Sequence, residues 1–127
     1  MSQRIRVVMI PADRPPYVTN INGSMRNIRK IVGGYAEIHK HGNKAIVCNE
    51  EARVRGLPQN QTCHKFAGDI FIAETYGEEF TKMSRAEAKE ILHMVKKSDW
   101  PNDSAVVMDE AAWLAGTRKG GTQHDVG

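Results

Sequence analysis

The chain has 127 residues, 40% of them apolar and 26% charged, which is ordinary for one globular domain able to fold without disulfides or a metal. No apolar run approaches the ~20 residues of a membrane-spanning helix, and the opening Met1-Ser2-Gln3-Arg4 has none of the pattern of a signal peptide. The net charge of +3 hides an asymmetry: residues 1–56 hold ten Lys/Arg and four Asp/Glu, residues 57–127 eight and eleven, and a basic half can attract phosphate or an acidic surface, or be simply a solvated face. A cytoplasmic setting follows as the expectation, with Cys48 and Cys63 reduced.

Arg4 to Ile10 is a β-rich run that Pro11 stops. After a turn at Asp13-Arg14-Pro15-Pro16, Tyr17 to Ile21 predicts a second strand and hence a hairpin. Ser24 is placed to cap a helix with Met25, Ile28, Ile31 and Val32 on one face, and Gly33-Gly34 to stop it. Two strands follow, Tyr35 to His41 and Lys44 to Cys48, around a turn at Gly42-Asn43. Arg53-Val54-Arg55 reads as a continuation of that meander, and Leu57 to Gly68 as loop. Asp69 to Thr75 is the most apolar strand and is expected at the centre of the sheet. Ser84-Arg85-Ala86-Glu87 fits a capping box, followed by a helix with Ala88, Ile91, Leu92 and Val95 on one face. Asp99-Trp100-Pro101 breaks that helix.

This order predicts an α+β fold, a mostly antiparallel sheet of four to six strands with two helices packed on one face. The domain is expected to span 1–97. Residues 98–127 then form a C-terminal extension, with a short helix at 108–115 turning Trp113 and Leu114 inward and a flexible, disordered end.

The densest unusual chemistry lies between Ile31 and Asn60. Cys48, Cys63, His64, His39 and His41 have no ligand spacing of a usual zinc site, so no metal and no cofactor is expected. His39 and His41 do share one face of their strand. Cys48 reads as a buried small hydrophobe and not a nucleophile, and Glu50-Glu51 as a turn, because adjacent side chains on an extended chain diverge. Gly33-Gly34 has neither dinucleotide-loop nor P-loop spacing. No catalytic residue is assigned. Arg26, Arg29 and Lys30, with Arg53 and Arg55, could form a cationic surface near Tyr35 and Asn60; ordinary solvation of a helix face is the competing reading and by count the stronger. Arginine, an aromatic ring and an amide together suit a nucleotide.

The phrases Asn22-Gly23-Ser24, Val32-Gly33-Gly34-Tyr35-Ala36-Glu37, Val47-Cys48-Asn49-Glu50-Glu51, Gly56-Leu57-Pro58-Gln59-Asn60 and Gly68-Asp69-Ile70 resemble a family catalogued as domain of unknown function 3846. The likeness runs from about Arg4 to Lys97. Members carry glycine after Asn-Glu-Glu, where this chain has Ala52. The resemblance implies an accessory protein of phages, plasmids or integrative elements and supplies no reaction; by analogy with small phage proteins, action by binding in counter-defence or host takeover is expected. The leading expectation is a non-enzymatic homo-oligomer that sequesters a nucleotide-type signal, with Tyr35, Asn49, Glu50, Arg55 and Asn60 at the ligand. Two alternatives stand beside it. One is an inhibitor of a host protein, using the acidic helix and the Trp113 segment as its contact surface. The other is a nucleic-acid-binding protein using the five basic side chains.

Overall fold

The structure, a computed structural model, describes residues 3–116. Its centre is one antiparallel sheet built from Arg4–Ile10 (β1), Tyr17–Asn22 (β2), Ala36–His41 (β3), Lys44–Asn49 (β4), Ile70–Tyr76 (β5), Glu79–Thr81 (β6) and Val106–Asp109 (β7). The strand order is β2-β1-β5-β4-β3-β7, and β6 pairs with β5 beyond the end of β1. The α+β class and the antiparallel sheet agree with the sequence reading, with seven strands in place of four to six. Segment 69–75 indeed supplies the central strand, flanked by β1 at Ile10↔Ile70 and β4 at Ile46↔Ile72.

Both faces of this sheet are covered. Val7 and Val8 are consecutive and both fully buried, so they point into opposite layers. Met25–Val32 (α1) packs Ile28 and Val32 onto one layer with Ile5, Val7 and Phe71. Arg85–Lys96 (α2) packs Ala88, Ile91 and Val95 onto the other with Val8, Ile46 and Ile72. The helices therefore lie on opposite faces, where the sequence had placed both on one. The physical reason is visible in β1 and β5: Val7 to Ile10 and Ile70 to Ala73 are consecutive buried apolar residues with two faces to cover, which a one-sided layer would leave wet. Both helix starts are capped as expected, Ser24 Oγ accepting from the Asn27 amide at 3.2 Å and Ser84 Oγ from the Glu87 amide at 3.1 Å. Gly33 closes α1 at φ +86°, a conformation that favours glycine. The segment Arg53-Val54-Arg55 is a turn and not a strand: the Arg55 amide donates to Glu51 O at 2.9 Å, and no sheet partner reaches it.

Position 97 is not a structural boundary. Strand β7 pairs with β3 (Ile38↔Met108), and a helix over residues 110–116 (α3) follows it. Trp113 is only 3% exposed and stacks on Phe80 with centroids 4.6 Å apart. The inward Trp113 and Leu114 match expectation, but the helix begins later than 108 because 106–109 is strand. The disordered end expected for the tail lies, from residue 117 on, outside the described residues.

Buried Glu110 opens α3 and fastens it. Its carboxylate accepts from Arg29 Nε at 2.8 Å and from the Ala36 amide at 2.9 Å. Burial alone would raise its pKa, but the Arg29 and Ala36 bonds outweigh burial and leave it below the ordinary 4.5. A carboxyl held low in the folded state stabilises above its unfolded pKa, and that contribution fades as pH falls through the folded value. Glu110→Gln is thus expected to be less stable than wild type at pH 7, with the gap closing toward pH 3. Urea midpoints measured across that range would check it, and a gap independent of pH would refute it.

Candidate functional site

Four of the five residues expected at a ligand gather at the C-terminal end of α1. Asn49 is 4% exposed, and both ends of its amide are engaged: Nδ2 donates to Val32 O at 3.1 Å and Oδ1 accepts from the Glu51 amide at 2.8 Å. Arg55 Nη1 donates to Gly33 O at 2.8 Å. A Cβ at Gly34 would stand 3.0 Å from both Arg55 Nη1 and Asn49 Nδ2, so glycine lets the two side chains close over the helix end. Tyr35 and Glu50 border a shallow concavity of about 320 Å³ with Arg29, whose guanidinium lies 5.0 Å from the Tyr35 ring centroid. Asn49 thus fastens backbone from a buried position and Arg55 from an exposed one, while Tyr35 and Glu50 face open space.

Asn60 does not join them. It is fully buried, and its Nδ2 donates to Ile10 O and Gly68 O, each at 3.0 Å. Its Oδ1 accepts from the Thr62 and Cys63 amides at 3.0 and 2.9 Å. Four backbone groups are tied to one side chain, and the result is a fixed loop over residues 61–66. Cys63 and Phe66 of this loop pack against the α2 layer, away from Tyr35.

That loop forms one wall of a much larger open cleft, about 970 Å³ in volume. The hairpin turn at 13–16, the outward side chains of β3, the end of α2 and Trp100-Pro101 supply the other walls. Its character is aromatic and basic. His39 meets Phe66 edge-on at 5.1 Å, and His41 meets Trp100 at 5.4 Å. His41 Nδ1 also pairs with Asp103 Oδ1 at 2.8 Å, and His64 Nε2 donates to Gln61 O at 2.8 Å. Arg14, Lys65 and Lys96 bring three cations against the lone carboxylate of Asp13.

Beside the cleft, β3 and β4 bring Glu37, His39 and Cys48 together. Glu37 and Cys48 are directly opposed across the strands, and His39 follows two residues on along the same face. His39 Nε2 lies 2.8 Å from Glu37 Oε1, and the Cys48 thiol 3.9 Å from the same oxygen. Burial first, then the neighbouring Glu37, pushes the Cys48 thiol up to about 12. Burial also pushes Cys63 up to about 11. Neither is a thiolate near neutral pH, so neither is poised as a nucleophile.

The family profile described as Domain of unknown function (DUF3846) matches residues 5–96. The chain belongs to this family. Neither a curated protein nor a solved structure matches it. The DUF3846 match runs from β1 through α2; β7 and α3 lie beyond it and pack onto it. At the Ala52 departure this DUF3846 protein has no strained backbone. Ala52 is buried at 6% exposure, and the positive φ of that turn falls on Gly56 at +72°. Among the residues the sequence left unassigned are His64, Lys65, Phe66 and Trp100, all at the cleft. Their signal was a polar loop rich in groups with hydrogen-bonding or stacking capacity, Gln61-Thr62-Cys63-His64-Lys65-Phe66, which by length alone reads as a connection.

Proposed function

We propose that this DUF3846 protein is a non-enzymatic binding protein that captures a nucleotide-type ligand in the cleft between the 61–66 loop and Trp100. The observation that carries the reading is the cleft's composition: ring faces at Phe66 and Trp100, and cations at Arg14, Lys65 and Lys96, around one concavity of ligand size. Rings suit a base, and cations suit phosphate. The protonated thiols argue against cysteine catalysis. In the setting that the resemblance implies, an accessory protein of a phage or mobile element in the host cytoplasm, such capture would serve counter-defence by removing a host signal. Among the described residues no helix is long and apolar enough to cross a membrane.

The alternatives are less well supported. Trp113 is buried and cannot form the contact surface of a host-protein inhibitor. Of the five basic side chains suggested for nucleic acid, Arg29 pairs with buried Glu110, while Arg53 and Arg55 each give a donor to a carbonyl, Lys65 O and Gly33 O, and stay exposed. Calorimetry against cyclic nucleotides and ADP-ribose derivatives, with light scattering for the oligomeric state, tests the proposal. Saturable binding is expected, weakened about 10- to 100-fold by Trp100→Ala through lost stacking. Binding to none of the panel would reject the reading.

A further inference from the structure

We propose that Glu37, His39 and Cys48 form a binding site for a divalent transition metal of the zinc class, at the edge of the cleft. The first argument is convergence. One ligand atom from each residue lies within 4.8 Å of the other two, and the antiparallel register enforces this: Glu37 faces Cys48 across the strands, with His39 next along the same face. Linear spacing hides the set, because the thiol comes from the neighbouring strand and the carboxylate was not counted with the histidines.

The second argument is distance. Tetrahedral zinc with bonds of about 2.1 Å to oxygen and nitrogen and 2.3 Å to sulfur separates an oxygen–nitrogen ligand pair by about 3.4 Å and an oxygen–sulfur pair by about 3.6 Å. The first two pairs stand at 2.8 and 3.9 Å, about 0.6 and 0.3 Å from those values, and the imidazole–thiol pair lies within 4.8 Å, so side-chain shifts of this order open a position for the ion. These are rotamer-scale adjustments on a rigid pair of strands.

The third argument is donor type and access. Thiolate, imidazole and carboxylate together suit zinc, and disfavour calcium or magnesium, which take oxygen ligands. The Glu37 and His39 side chains keep 30% and 19% of their exposure, and His39 lines the cleft, so an ion can reach them from solvent. Three protein ligands leave a fourth position, filled by water or by a donor entering from the cleft. Binding replaces the Cys48 thiol proton with the metal, and one proton goes to solvent. None of this depends on the nucleotide reading; either proposal can fail without the other.

The test uses the full chain, stripped with a chelator and titrated with Co²⁺ and then Zn²⁺. One equivalent of Co²⁺ is expected to release one proton and give a thiolate-to-metal charge-transfer band with the intense visible bands of a four-coordinate ion, both abolished as Zn²⁺ displaces Co²⁺ without further proton release. Cys48→Ser should remove the charge-transfer band and weaken Zn²⁺ by more than about 100-fold, since even outer-shell partners contribute 10- to 100-fold. Cys63→Ser should retain the band. Glu37→Gln and His39→Gln should each weaken Zn²⁺ at least about 10-fold, and they decide the matter if circular dichroism shows Cys48→Ser misfolded. A wild-type protein with no charge-transfer band overturns the proposal. So does a band that survives Cys48→Ser and disappears in Cys63→Ser, or Zn²⁺ affinity unchanged in both Glu37→Gln and His39→Gln.

Discussion

Asn60→Ala is expected to destabilise the protein by about 3 kcal/mol, lowering its thermal midpoint by roughly 10 °C. The side chain has no exposure and satisfies two carbonyls and two amides at 2.9–3.0 Å. Alanine removes all four bonds at once and leaves buried backbone groups unmatched, which costs more than the bonds themselves contribute. Asn60→Asp distinguishes the two halves of the arrangement. It keeps acceptors for the Thr62 and Cys63 amides, but sets a carboxylate against the carbonyls of Ile10 and Gly68, so it too should destabilise. Chemical denaturation of both variants measures the effect. A midpoint within about 2 °C of wild type for Asn60→Ala would show that water substitutes for the amide. The same loop walls the cleft, so whatever binds there should be lost in step with loop order.

Ending the chain after Lys97 is expected to abolish stable folding, although that cut leaves the whole DUF3846 match intact. The cut removes Trp113, and truncating one buried tryptophan alone costs about 3–5 kcal/mol. It also removes the ladder that pairs Glu37 through Lys40 with β7 and the Glu110 carboxylate that satisfies the Ala36 amide. Against the 5–15 kcal/mol of a typical domain these losses leave little or nothing. Circular dichroism and size-exclusion chromatography of the shortened chain would decide it. A cooperative melt near the wild-type midpoint would mean that the family segment is self-sufficient and β7 merely covers an edge.

Much of the fold was legible where the signal is local. Ser24, Gly33 and Ser84 mark helix ends through side-chain chemistry acting over three or four residues, and each behaves as that chemistry dictates. The segment with the apolar run at 70–73 was correctly central, because a strand buried on both faces lacks polar alternation. Errors came where a distant partner decides the outcome. Val106–Asp109 becomes a strand by meeting β3, and no local pattern announces that. Glu79–Thr81 is three residues long and has no apolar alternation to detect. Arg53-Val54-Arg55 has β-compatible composition, but the Asn49 side chain and the Glu51 carbonyl bend it into a turn. The candidate site suffered the same way. Polar residues at 35–60 stood out in the sequence, yet Asn49, Arg55 and Asn60 use their polarity on backbone. The cleft instead draws on 13–16, 61–66 and 98–105, which only the folded sheet brings together.

The sheet order carries a consequence for how the chain reaches this state. β1–β2 and β3–β4 are hairpins closed by short turns, and each can assemble early from its own residues. They meet only through β5, which pairs β1 at Ile10↔Ile70 across sixty positions of chain. Within the sheet each hairpin has an edge that β5 fills, and closing the chain between them carries a loop-entropy cost. β5 is therefore the strand that joins the two hairpins into one sheet: Phe71 stands between Met9 and Val47, and Ile72 between Val8 and Ile46.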